Sequence, residues 1–102
     1  MTEATEAQAV RLSDRLRYRA VADEGVLVHL ERGQVLVVNE VGLHLVEALA
    51  RQPMTVADLS ESVVRAFEVE PDQARADVET FLVQLRAEDA VESAEAPGAG
   101  PA

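Results

Sequence analysis

The 102-residue chain contains no cysteine, no lysine and no tryptophan, and its aromatic residues are Tyr18, Phe67 and Phe81 alone. Without cysteine there is no disulfide framework, thiol nucleophile, zinc knuckle or iron–sulfur ligation. Without lysine there is no Schiff-base chemistry and no phosphate-loop lysine. Imidazole is confined to His29 and His44, so a zinc site would need carboxylates to complete it. No apolar run approaches the roughly 20 residues of a membrane-spanning helix. Residues 1–10 are acidic and polar where a secretory signal is basic and then apolar, so a cytoplasmic protein without a membrane partner is expected. Positive charge is also scarce: nine arginines face nineteen acidic residues, a formal net charge of -10, which repels nucleic-acid phosphates and anionic lipid. These absences favour binding over catalysis. No catalytic residue, metal or cofactor is expected, and the chain is not expected to be an enzyme.

What is present suffices for one small core, since 48% of the residues are hydrophobic and the length suits a single domain. Residues 1–15 and 92–102 read as mobile tails. The first is dominated by Glu, Ala, Gln and Thr, and the second carries Pro97, Gly98, Gly100 and Pro101, so neither buries enough to offset ordering entropy. The folded domain is then expected over 16–91.

Segments 17–21, 26–30 and 34–39 are dense in Val and Leu and read as strands. Glu31-Arg32-Gly33 reads as a three-residue hairpin loop with Gly33 left-handed. That register pairs Leu30 with Gln34 and puts Val26, Val28, Leu30, Leu36 and Val38 on the core face, with Leu27, His29, Val35 and Val37 opposite. A tighter turn at Arg32-Gly33 would bury Val35 and Val37 instead. His29 is accordingly expected to be an ordinary exposed strand residue, and His44 a group that titrates near neutral pH.

From Asn39 the period becomes helical. Asn39 caps a first helix carrying Val41, Leu45, Ala48 and Leu49, which stops before Pro53. Thr55, with Asp58 three residues on, caps a second, lined by Val56, Leu59, Val63 and Phe67. Pro71 opens a third, whose stripe is Ala74, Val78, Phe81, Leu82 and Leu85. Asp72 suits its positive N-terminal end. Beside that stripe, Arg75, Glu79, Leu82 and Arg86 form a strip at i, i+4, i+7 and i+11. The expected fold is α+β and winged-helix-like, a three-stranded antiparallel sheet followed by three helices.

Four motifs occur along this order: a Gly-closed hairpin at Gly33, Asn39-Glu-Val-Gly42, Thr55-Val-Ala-Asp-Leu59, and Asp77-Val-Glu-Thr-Phe-Leu-Val-Gln-Leu85. Together they resemble the PqqD-like family, recognition elements for leader peptides of ribosomally made, post-translationally modified peptides. The resemblance implies a non-catalytic adaptor that binds a precursor leader peptide as an added strand and delivers it to a separate modifying enzyme. It places the site between the third strand and the third helix; the candidates there are Val35, Leu36, Val37 and Val38 on the uncharged strand, and Arg75, Val78, Glu79, Leu82 and Arg86 on the helix, whose two arginines on one strip stand out in so acidic a chain. Arg75 and Arg86 would then read acidic leader positions, although Glu79 also lies within pairing distance of Arg75. Leu45-Val46, Val35-Leu36 and Glu88-Asp89-Ala90 depart from the family, which often has aromatics at the first two places and a glycine at the third. Two rival readings are a winged-helix DNA-binding regulator and a dimerisation module using the same strand edge. Residues 55–90 hold three arginines against nine acidic residues, which disfavours the first. A monomer or weak homodimer that binds no nucleic acid is expected.

Overall fold

The structure, a computed structural model, describes residues 8–94. The elements are β1 (Ala9–Leu12), β2 (Leu16–Val21), β3 (Glu24–His29), β4 (Gln34–Val38), α1 (Glu40–Arg51), β5 (Met54–Thr55), α2 (Val56–Phe67), α3 (Pro71–Ala87) and β6 (Val91–Ala94). The α+β expectation holds, but there are two antiparallel sheets rather than one, ordered β2-β3-β4 and β5-β1-β6. Part of the first expected tail is therefore structured. Ala9 and Val10 are buried, and β1 pairs with β5 and along its whole length with β6. These partners come from some 45 and 80 positions further along the chain, and pairing over such distances leaves no local pattern. Residues 92–94 likewise belong to β6. Ser13 and Arg15, also in the first expected tail, are hydrogen-bonded to Ala90 and Leu30, and residues 1–7 and 95–102 lie outside the described residues.

The helix boundaries follow from local chemistry. Asn39 accepts the Gly42 N–H at 2.9 Å. Thr55 and Asp58 form a reciprocal capping box, and Pro71 occupies the first turn of α3, where its missing N–H costs nothing. Leu45, Val46, Leu49, Leu59, Val63, Val78 and Leu85 from the three helices join Leu27 in one buried cluster.

The second hairpin corrects the expected register. Leu27 pairs with Leu36 and His29 with Gln34, so Leu30 lies in a four-residue loop in which Gly33 takes φ +67° and donates to the His29 carbonyl at 2.8 Å. Moving Leu30 into the loop shifts β3 by one residue and exchanges its faces. Leu27 and His29 are buried while Leu30 is exposed, the reverse of the expectation for β3. On β4 the expected faces stand: Leu36 and Val38 pack on the core, and Val35 and Val37 are exposed.

His29 is thus a core residue, 2% exposed. Its Nε2–H donates to the Asp89 carbonyl at 3.2 Å, and Nδ1 accepts the Arg32 N–H at 3.3 Å. One ring satisfies both contacts as the Nε2–H tautomer, fastening the β3–β4 loop to the end of α3.

His44 of α1 is hydrogen-bonded to Ser62 of α2, with Phe67 edge-on at 5.4 Å between ring centres. Burial holds its pKa below the ordinary 6.5, opposed by Glu47 and reinforced by Arg51. The unfolded chain therefore takes up the proton first. The stability from this site is complete above pH 6.5 and falls as pH drops from there through the lower folded value. Thermal melts at about pH 7.5 and 5.5 should show a larger drop in Tm for the native chain than for His44→Gln.

Candidate functional site

β4 pairs only with β3, so one side of it is open among the described residues. Which backbone groups face that side follows from the ladder. The Leu30 N–H bonds the Arg15 carbonyl at 2.8 Å, which directs residues 28 and 26 of β3 toward β2 and residues 29, 27 and 25 toward β4. The β4 residues opposite the latter, Gln34, Leu36 and Val38, are bonded inward. Val35 and Val37 present their N–H and C=O groups outward.

The two margins of this sheet differ chemically. β2 carries Arg17 and Arg19, whereas 34–38 has no charge and no proline. Charged margins block unwanted pairing, and an uncharged one invites it. Val35 and Val37 are 60% and 65% exposed, unusual for aliphatics on a strand whose remaining apolar residues are packed.

Beside this margin runs a groove. One part, about 500 Å³, is lined by Val37, Val38 and Asn39 on one wall, Val41, Gly42 and Leu45 of α1 on the floor, and Asp77, Thr80, Phe81 and Gln84 of α3 on the other wall. A second part, about 330 Å³, continues along Leu36, Val37 and Val38 past Phe81, Gln84, Leu85, Ala87 and Glu88. Its depth depends on Gly42, where a Cβ would lie 2.8 Å from Val38 Cβ and 3.0 Å from Phe81 Cε1. No arginine lines either part. Asp77 accepts a hydrogen bond from Gln73 at 2.8 Å, and Glu88 lies 4.0 Å from Arg32.

Of the residues expected at the site, Leu36, Val37 and Val38 line the groove, and Val35 shares the open margin from the opposite face. The helical residues are placed elsewhere. Val78 and Leu82 are buried in the core. Arg75 pairs with Glu79 at 3.3 Å and lines a cleft against Ala57, Ser60 and Val64 of α2. At about 100° per residue, Arg75, Glu79, Leu82 and Arg86 lie roughly 100–160° around α3 from Phe81, on the far border of the apolar stripe. The near border, Asp77, Phe81, Gln84 and Glu88, has the same i, i+4, i+7, i+11 spacing; from sequence Phe81 reads as core and Asp77 and Gln84 only as members of a motif. Among the described residues no group of three or more His, Cys, Asp or Glu is placed to hold a metal ion, and no helix is long and apolar enough to cross a membrane.

Fold and groove together define a small α+β domain in which, among the described residues, one sheet margin beside a helix is left unpaired. The chain belongs to the PqqD family: the model of coenzyme PQQ synthesis protein D matches residues 24–91. Comparison with curated proteins gives no match. Among solved structures it is similar to TbiB1 in complex with the TbiA(beta) leader peptide (TM-score 0.73, 22% identity, 80% of this chain and 94% of that one). It is also similar to lasso peptide synthetase B1 complexed with the leader peptide (TM-score 0.69, 19% identity, 81% and 96%). A third is the PqqD truncation of Methylobacterium extorquens PqqCD, a functional and stand-alone RiPP recognition element (TM-score 0.68, 19% identity, 82% and 88%). At these identities the likeness is one of fold.

Proposed function

We propose that this chain is a non-catalytic recognition module that binds the leader segment of a ribosomally synthesised precursor peptide as an additional strand on β4 and presents it to a separate modifying enzyme. The observation that carries the reading is the outward-facing amides and carbonyls of Val35 and Val37 beside the β4–α3 groove. Main-chain pairing there supplies affinity, and the groove takes alternate side chains of the added strand. Membership of the PqqD family and the leader complexes of two structural neighbours support it. The module works in the cytoplasm as a monomer or weak homodimer, with neither nucleic acid nor membrane as a partner.

The test is a calorimetric titration with a synthetic leader from a short reading frame in the gene neighbourhood. Proline at Val37 removes an outward donor and leaves the β3–β4 ladder intact, because Val37 is not bonded inward. Val37→Pro should weaken binding about tenfold, the worth of one hydrogen bond, with an unchanged circular dichroism spectrum. Equal affinity for both proteins would overturn the reading. A mobility shift with duplex DNA at low salt would favour the regulator instead, and a concentration-dependent mass without peptide would favour dimerisation through β4.

A further inference from the structure

The groove is electrically one-sided, and this bears on what it selects. Asp77 and Glu88 stand at its two ends, about 16 Å apart at 1.5 Å per residue of helix, with Phe81 and Gln84 between them. Asp77 is half-buried, its hydrogen-bond partner Gln73 is neutral, and no cation pairs with it among the described residues. Glu88 is already answered in part by Arg32. Arg75 and Arg86, the two arginines of α3, lie outside the groove. A peptide seated there therefore meets a half-buried carboxylate and no arginine in the groove lining.

Strand geometry fixes where that carboxylate acts. Side chains of an added strand alternate, and those across from Leu36 and Val38 face α3, about 7 Å apart. The residue across from Leu36 meets Phe81, Gln84 and Leu85. The residue across from Val38, or the next alternate one beyond, comes under Asp77, which shares its part of the groove with Val38 and Asn39.

Resting on the strand-addition reading, we propose that the groove selects extended segments in which an apolar residue is separated by an even spacing, two or four positions, from a lysine or arginine, and that Asp77 is the specificity-determining carboxylate. The apolar side chain packs on Phe81, and the cation pairs with Asp77. This is the opposite polarity to the acidic leader expected from Arg75 and Arg86.

A displayed library of random peptides is selected on the full-length protein. The selected peptide and its counterpart with Gln for the basic residue are then titrated into the native chain and into Asp77→Asn, Glu61→Gln and Val37→Pro. The native chain should prefer the basic peptide about threefold to fivefold, the range of an accessible ion pair. The preference should shrink with salt, vanish in Asp77→Asn and survive intact in Glu61→Gln, a carboxylate of α2 outside the groove lining. Equal affinity for the two peptides, odd spacing or enriched acidic residues would overturn the proposed selectivity while leaving strand addition standing, provided Val37→Pro still weakens both peptides. If Val37→Pro changes nothing, strand addition itself falls.

Discussion

Truncating Leu27 to alanine should cost about 2–5 kcal/mol of stability, whereas truncating its neighbour Val26 should cost roughly 1 kcal/mol. The contrast follows from the four-residue loop between β3 and β4. Leu27 is fully buried, at 0% exposure, and lies in the cluster with Leu45, Leu59 and Leu85. Val26 stands on the other face of β3, paired with the exposed Val37. A three-residue loop would exchange the two residues and reverse the order of the two costs. Urea unfolding of both variants decides the matter, and a larger loss for Val26→Ala would return the hairpin to the register read from sequence.

That reversal marks where the sequence was legible and where it was not. Helix starts are written in local chemistry, and Asn39, Thr55 with Asp58, and Pro71 each sit where a backbone donor needs a partner or needs none. The margin of β4 was legible too, because the absence of charge and proline over 34–38 is a property of the strand itself. A loop length, by contrast, changes by one residue at little local cost. Gly33 takes its left-handed conformation in the four-residue loop as it would in the shorter one, and its presence did not discriminate. His29 was misplaced for the same reason, and its partner Asp89 lies 60 positions away.

Which border of α3 lines the groove was not legible, for a different reason. Two strips flank the apolar stripe of α3 at identical spacing, one through Arg75 and Arg86, the other through Asp77 and Glu88. Periodicity reports that a helix has a buried face but not which border of it turns toward a given strand. Here that choice is made by tertiary contacts: the end of α3 is held at His29 through the Asp89 carbonyl, while Arg75 turns to α2. A charge argument alone favoured the arginines because they are rare in this chain.

Gly42→Ala should destabilise the protein by about 1 kcal/mol and weaken peptide binding by about tenfold, an effect of the opposite sign to the usual one. In an open helix, alanine stabilises relative to glycine by about 1 kcal/mol. Gly42 lies in the first turn of α1, with its N–H already satisfied by Asn39, so no special backbone conformation calls for glycine there. The demand comes from packing. An added Cβ would stand 2.8 Å from Val38 Cβ and 3.0 Å from Phe81 Cε1, and Val38 cannot retreat without moving β4. Relief of such overpacking costs about 1–3 kcal/mol, enough to reverse the propensity gain. Val38 and Phe81 are also opposite walls of the groove, so the adjustment falls on the surface that would receive the peptide. Leu59→Ala, in the core and away from the groove lining, separates the two effects. It should lose about 2–5 kcal/mol yet bind peptide with native affinity wherever it remains folded. A neutral or stabilising Gly42→Ala would mean that α1 does not approach β4 this closely, and the groove floor would have to be redrawn.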